Sequence, residues 1–177
     1  MASVVAVPND VPGDVIDELF GAAEEFHQHF APDGLTAAPT RHVVVLSCMD
    51  ARLDLFRLLG LAIGDSHILR NAGGRATDDA IRSLVVSANW LGTRRALVIH
   101  HTMCGLFGET NDSMREHVRD STGHDPVDIE FHAIADLEES VREDVRRIRA
   151  CPFLPDGYEV RGAVYDVETG ALTPVSD

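Results

Sequence analysis

The most constraining feature of this chain is an apolar run that ends in reactive side chains. Residues 43–46 are four consecutive apolar residues, three of them β-branched, which is typical of a strand buried on both faces of a parallel sheet. Cys48, Asp50 and Arg52 follow at alternate positions. In open α/β sheets, ligands bind outside the carboxyl ends of the strands. This stretch therefore predicts the active-site edge of such a sheet.

A second apolar run, residues 96–99, also ends in residues that can bind a metal. His101 and Cys104 follow it with the spacing His-x-x-Cys. Thiolates and imidazoles suit zinc, and two thiolates with one imidazole form a catalytic ligand set with one open position. A single buried Cys or His is more often a core residue. Three of them at two strand ends instead predict that Cys48, His101 and Cys104 bind zinc.

Asp50 and Arg52 are two residues apart, so their side chains can point to the same side of the strand end. A surface ion pair is the plain interpretation, and it would stabilise the fold little. The functional interpretation is a carboxylate held by a guanidinium beside the metal. Asp50 would then either be a fourth ligand or accept a hydrogen bond from metal-bound water.

Residues 70–74, Arg-Asn-Ala-Gly-Gly, follow the second predicted strand. Gly73 and Gly74 permit positive φ or a close approach of the backbone to a ligand, and an ordinary βα loop is the alternative. The glycine spacings of phosphate-binding loops are absent. Cys151, which precedes a proline at a predicted helix end, is expected to be structural.

The rest of the chain alternates between helical and strand patterns. An N-terminal helix is predicted to start with Asp10 and Pro12 and to extend to about residue 30. Four predicted strands, separated by helices, and a final hairpin strand cover residues 43–48, 66–69, 95–100, 159–165 and 172–175. This order predicts an α/β fold with a mainly parallel central sheet flanked by helices. We expect one domain over residues 1–177, with residues 1–40 as a helical arm and linker.

The charge of the chain restricts its partners. Net charge is −14, and all 15 basic residues are arginines. Such a surface repels nucleic acid and anionic membranes, so neither is expected as a partner. No apolar run is long enough to span a bilayer, and no signal peptide is recognised. A cytoplasmic location is therefore expected, where thiols are more often metal ligands or core residues than disulfides.

The motif Cys48-x-Asp50-x-Arg52, followed by residues 70–74 and by His101-x-x-Cys104, resembles the β-class carbonic anhydrases. The resemblance is close over residues 41–105. It implies a zinc enzyme, a carbonate dehydratase of the lyase class, that reversibly hydrates carbon dioxide to bicarbonate and a proton through zinc-bound hydroxide. It also implies Cys48, His101 and Cys104 as Zn²⁺ ligands and Asp50 and Arg52 as the catalytic pair.

The resemblance also implies how the chain assembles. The family fold is a parallel sheet flanked by helices, built as a dimer or as dimers of dimers, with active sites at the subunit interface. Its N-terminal helix packs on the partner. A homodimer or higher even oligomer is therefore expected, and the apolar side chains of the N-terminal helix are consistent with it. Gly73, Gly74, Met103 and Gly105 are the residues expected in the backbone loops around the substrate.

Met103 departs from the family pattern. Many short members have a polar residue, often Asp, between the Thr and Cys of this motif. The departure leaves the substrate open, because some relatives hydrolyse carbonyl sulfide or carbon disulfide and an apolar Met103 is compatible with such substrates. A third alternative is a non-catalytic zinc-binding protein in which Asp50 permanently closes the fourth metal position.

Overall fold

Five strands form one sheet in the computed structural model, which describes residues 14–177. The strands are β1 (Val43–Cys48), β2 (Ser66–Asn71), β3 (Arg95–His101), β4 (Glu159–Tyr165) and β5 (Leu172–Val175). Their order across the sheet is β2-β1-β3-β4-β5, and the first four are parallel. β5 pairs antiparallel with β4. The predicted mainly parallel α/β fold is confirmed.

The register of the central strands brings the predicted ligands to one edge. Ser47 of β1 lies opposite Ile99 of β3, so Cys48 stands beside the last residues of β3. On the other side of β1, Cys48 lies opposite Asn71, the last residue of β2. The carboxyl ends of all three strands therefore meet at the same edge, as the sequence predicts.

Residues 14–177 contain five α-helices. They are α1 (Val15–His29), α2 (Leu55–Leu59), α3 (Asp78–Trp90), α4 (Asn111–Thr122) and α5 (Leu137–Arg149). Each begins after a residue whose side chain accepts a hydrogen bond from a first-turn N–H, namely Asp14, Asp54, Thr77, Thr110 and Asp136. The start predicted at Asp10 and Pro12 lies outside the described residues. No helix in residues 14–177 is both long and apolar enough to cross a membrane.

The core lies on both faces of the sheet, because successive strand residues point to opposite sides. Val44, Leu46 and Val98 pack with one set of buried residues, and Val45 and Ile99 pack with another. Helix α5 approaches β4 closely: a Cβ built on Gly162 would stand 2.2 Å from a methyl carbon of Val141. The apolar run that opens β1 is thus a strand buried on both faces.

The described residues form two compact units, residues 14–35 and residues 36–177. Helix α1 belongs to the first and has no buried residue within the described chain. Its apolar side chains are largely exposed, with 59% of Ile16, 61% of Leu19 and 69% of Phe20 accessible. Most surface helices bury such a face against the core, whereas the apolar face of α1 is exposed among residues 14–177.

One edge of the sheet ends with β5. Pro174 lies opposite Ala163 of β4 in this antiparallel pair. A proline within a sheet is confined to positions where its nitrogen points away from the neighbouring strand, because it has no N–H to donate. The nitrogen of Pro174 therefore faces the free edge.

Candidate metal centre

Cys48, His101 and Cys104 come together at the carboxyl edge of the sheet. Cys48 is the last residue of β1, His101 is the last residue of β3, and Cys104 lies in the turn that follows. Their ligand atoms all lie within 4.8 Å of one another, and all three residues are buried. Ligands at zinc bonding distance stand roughly 3.5–4 Å apart around a tetrahedral ion. The group therefore has the size of a zinc site.

The imidazole of His101 is oriented to present one nitrogen to a metal. Its Nδ1 lies 2.8 Å from the carbonyl oxygen of Thr102, which can only accept, so Nδ1 carries the proton. Nε2 then has a free lone pair. That atom is buried and lacks a hydrogen-bond partner within residues 14–177. Since an unpaired buried polar atom is costly, a bound cation would supply the missing partner.

Each of the two ligand thiols shifts the pKa of the other. The hydrogen bond from Cys104 lowers the pKa of Cys48 to about 4, and His101 and the backbone N–H groups of Asp50 and Gly73 act in the same direction against burial. The hydrogen bond to Cys48, together with burial, raises the pKa of Cys104. One sulfur is therefore ionised and the other keeps its proton, and a cation between them would favour ionisation of both.

The charge on Cys48 also affects His101. Burial lowers the pKa of His101, but the nearby, negatively charged Cys48 sulfur outweighs this effect, so the net shift is upward. An imidazole must be neutral at Nε2 to bind a metal, so metal binding here releases protons.

Asp50 and Arg52 form a multiply hydrogen-bonded pair beside the three ligands. The Arg52 backbone N–H and Nε each donate to Asp50 Oδ1 over 2.9 Å, and Nη2 donates to Oδ2 over 2.8 Å. The side-chain hydrogen bond from Arg52 lowers the pKa of Asp50 to about 2, so this group is a carboxylate at neutral pH. Its Oδ2 lies 3.8 Å from Nε2 of His101. The carboxylate thus stands next to the position that a metal would take.

Arg70 has a role at this site that the sequence did not predict. Its Nε donates to the carbonyl of Cys48 over 2.9 Å, and its Nη2 donates to the carbonyl of Asp50 over 2.6 Å. The guanidinium therefore fixes the backbone on both sides of Met49. The only sequence signal was a charged residue directly after the apolar pair Ile68 and Leu69, which has many ordinary explanations.

Gly73 and Gly74 bring their loop against the first ligand. Both have positive φ, +77° and +70°, where a side chain is strained. A Cβ on Gly74 would lie 2.9 Å from the backbone nitrogen of Cys48. A Cβ on Gly73 would lie 2.7 Å from Cδ1 of Leu106. The close backbone approach that the sequence allowed here is made to the chain's own ligand-bearing strand.

Met103 and Gly105 lie in the turn that carries Cys104. Met103 has φ of +56°, which is uncommon for a residue with a side chain. Its carbonyl accepts a hydrogen bond of 3.0 Å from Nη2 of Arg52, so this turn is tied to the Asp50–Arg52 pair. Gly105 is exposed, and a Cβ built on it would have no neighbour within 4 Å, so packing in the described chain does not require glycine there. Cys151 follows α5 and is not part of the ligand group.

The ligand sulfurs lie in apolar surroundings. Cys48 and Cys104 belong to a buried cluster with Leu53, Leu106 and Ile134. Partial charges interact more strongly where water is excluded. The hydrogen bonds to Cys48 are therefore electrostatically stronger here than they would be at the surface.

Fold and site together define an α/β protein with a two-cysteine, one-histidine metal centre at the carboxyl edge of a parallel sheet. The family model described as carbonic anhydrase matches residues 43–172. Over 142 residues, the chain is 42% identical to Beta-carbonic anhydrase 1 of Mycobacterium tuberculosis, covering 80% of this chain and 86% of that protein. The chain belongs to the β-carbonic anhydrase family.

Two further comparisons bear on fold and substrate. The crystal structure of carbonic anhydrase from Streptococcus mutans matches with a TM-score of 0.87 and 41% identity, covering 94% of this chain and all of that one (100%). A carbon disulfide hydrolase of Acidithiobacillus thiooxidans is 32% identical over 154 residues, covering 76% of this chain and 77% of that protein. Relatives that are named for two different activities, carbonic anhydrase and carbon disulfide hydrolase, are therefore similar to this chain.

Proposed function

We propose that this chain is a zinc-dependent carbonate dehydratase that interconverts carbon dioxide with bicarbonate and a proton. The observation that carries the proposal is the buried group of Cys48, His101 and Cys104, in which Nε2 of His101 has no hydrogen-bond partner within residues 14–177. The donor set is one that zinc prefers. Membership of the β-carbonic anhydrase family supports the same activity.

The three ligands would hold the zinc ion, which supplies a Lewis acid that makes water nucleophilic near neutral pH. The Thr102 carbonyl fixes His101 in the tautomer that this role needs. The Gly73 and Asp50 N–H groups stabilise the Cys48 thiolate. The apolar side chains around the two sulfurs suit carbon dioxide, a small apolar substrate.

Asp50 is placed to accept a hydrogen bond from the attacking water. Its pKa of about 2 keeps it ionised, so it acts as an acceptor and not as an acid at neutral pH. Because Arg52 donates to both carboxylate oxygens, Asp50 is retained beside the metal position and kept from becoming a ligand. We therefore assign Asp50 as the orienting carboxylate and Arg52 as the group that keeps the fourth metal position open.

Hydrolysis of carbon disulfide or carbonyl sulfide is a second candidate because of Met103. This residue stands half-exposed beside Cys104, with 52% of its surface accessible, and its thioether is soft and polarisable. The named activity of the Acidithiobacillus relative is compatible with this candidate.

We further infer that the chain works as a homodimer or a higher even oligomer. The exposed side chains of Ile16, Leu19 and Phe20 form an apolar face on α1, and such faces commonly mark association surfaces. We also infer a cytoplasmic location, because a reducing compartment keeps Cys48 and Cys104 as thiols, and all three cysteines are free.

The test is zinc analysis combined with carbon dioxide hydration from about pH 6 to about pH 9, the range in which water on zinc ionises. We expect one zinc per chain and a rate that rises with pH. Rates on carbon disulfide and carbonyl sulfide, measured on the same preparation, decide between the two candidates. A zinc-loaded protein inactive on all three substrates would contradict both.

A further inference from the structure

A buried network of polar side chains lies on the α5 side of β3. Asp144 of α5 is at its centre, with Oδ2 3.1 Å from Nε2 of His100 and 2.9 Å from Nε of Arg75. The other imidazole nitrogen of His100 lies 2.8 Å from Oγ of Ser140. All four residues are buried, although charged groups are rarely buried in proteins. None of them belongs to the metal group itself.

On one side, the network reaches the loop that touches Cys48. Arg75 closes this loop, because its N–H donates to Oδ1 of Asn71 over 2.8 Å and its carbonyl accepts from Nδ2 of Asn71 over 2.7 Å. Between these two residues lies Gly74, where a built Cβ would stand 2.9 Å from the backbone nitrogen of Cys48. The placement of Arg75 therefore affects the loop that packs directly against a metal ligand.

On the other side, the network reaches the strand that carries His101. His100 and His101 are adjacent in β3, so their side chains leave opposite faces of the sheet. Hydrogen bonds between the two nitrogens of His100 and side chains of α5 fix the backbone from which His101 projects. Within residues 14–177, Asp144 is thus the one carboxylate that contacts both Arg75 and His100.

We propose that Asp144 is a positioning residue for the metal centre, acting through Arg75 on Cys48 and through His100 on His101. The proposal rests on the proposed zinc-binding role of Cys48, His101 and Cys104. A buried ion pair contributes little net stability compared with apolar residues of the same volume, but the loss of one partner leaves the other charge buried and unpaired. Without Asp144, the Arg75 guanidinium would keep only one carboxylate of residues 14–177, that of the half-exposed Glu143, 3.1 Å from its Nη2. It would therefore move toward that carboxylate and water, and the loop would move with it.

The test compares Asp144→Asn with the double variant Asp144→Asn, Arg75→Met, which removes both charges. Zinc affinity is measured by competition with a chromophoric chelator. Thermal unfolding of the zinc-free protein and the thiolate-to-metal absorption of the Co²⁺ form are measured in parallel. Arg147→Ala is the control, because Arg147 forms an exposed ion pair from the same helix with Asp78. We expect a 10- to 100-fold loss of zinc affinity in Asp144→Asn, roughly as for other groups that orient metal ligands.

The double variant distinguishes an effect on the placement of the metal ligands from an effect on the stability of the protein. With neither buried charge present, and only the half-exposed Glu143 losing a partner, we expect its unfolding temperature to return toward that of the parent, while zinc affinity and the Co²⁺ spectrum stay altered. The proposal would be overturned if Asp144→Asn had the zinc affinity and the Co²⁺ spectrum of the parent. It would also be overturned if the double variant regained zinc affinity together with its unfolding temperature. A parent chain that binds no zinc would instead overturn the proposed function.

Discussion

The two segments that supply the metal ligands are fixed by different kinds of interaction. Charged side chains hold the segment after β1. Arg70 donates to two backbone carbonyls, and Arg52 donates to both oxygens of Asp50. Backbone hydrogen bonds hold the segment after β3. The Thr102 N–H donates to the carbonyl of Tyr165, and the Cys104 carbonyl accepts from the N–H of Phe107.

This difference shows which changes each segment can tolerate. The segment after β1 depends on charge, so removal of a guanidinium should disturb it most. The segment after β3 depends on backbone conformation, including the positive φ of Met103. Among the described residues, the hydrogen bond from Arg52 to the Met103 carbonyl is the only one that joins an arginine of the first segment to the second. The following variants test this comparison.

The largest effect is expected from Cys104→Ala, which removes a ligand on the β3 side. Zinc content should fall from one equivalent toward zero, with activity falling to background, because three ligands are needed for a tight site. Metal analysis of the purified variant measures this. Cys151→Ser is the matched control and should retain zinc, since Cys151 lies outside the ligand group. Full zinc occupancy in Cys104→Ala would show that the ligand assignment is wrong.

Arg52→Ala should lower activity by about 100-fold or more, the scale seen when an oriented charge-stabilising group is removed from an active site. Zinc content should remain near one equivalent, because the freed Asp50 carboxylate can become the fourth ligand. Arg57→Ala is the control, since Arg57 pairs with Asp54 at the surface. A crystal structure of Arg52→Ala that still shows Asp50 off the metal would contradict this explanation.

The sequence predicted those features of this site that depend on residues close together in the chain. Strand and helix types follow from apolar spacing and caps, and the ligands could be paired because β1 and β3 both end at one edge. Arg70 and Asp144 could not be assigned in this way. Arg70 acts on Cys48 across 22 positions and Asp144 on His100 across 44, so their roles depend on how α5 and β2 pack. Nothing in the local pattern distinguishes them from surface charges.

The same limit applies to the glycines. Sequence alone allowed either a close approach or an ordinary loop at Gly73 and Gly74, and only three-dimensional packing shows the contact with Cys48. Gly105 was expected to belong to the substrate loop, and that role stays a prediction. The helix start predicted at Asp10 and Pro12 lies outside the described residues and stays a prediction.

Gly74→Ala tests how closely the loop approaches the β1 side. Left-handed strain and the collision with the Cys48 backbone should together lower the free energy of unfolding by about 2–4 kcal/mol. Denaturant titration measures the loss. Gly170→Ala is a matched control, because Gly170 also has positive φ, +77°, but has no atom within 4 Å of a built Cβ. Equal losses in the two variants would show that the collision contributes nothing.

The smallest effect is expected at Met103, on the β3 side. Met103→Asn should raise the free energy of unfolding by about 0.5–1 kcal/mol, because Asn tolerates the left-handed conformation better. Met49→Asn is the control: Met49 is 67% exposed and has no positive φ. Thermal unfolding of both variants checks this, and a Met103→Asn variant less stable than the control would argue against strain at this turn.

The outward-facing nitrogen of Pro174 has a consequence for fibre formation. A free sheet edge is a template on which another polypeptide can add a strand, and repeated addition leads to insoluble polymers. At β5, Pro174 interrupts the row of N–H donors that an incoming strand would need. A chain with Thr or Val at this position would offer an unbroken edge, and would be the more prone of the two to precipitate during expression or refolding.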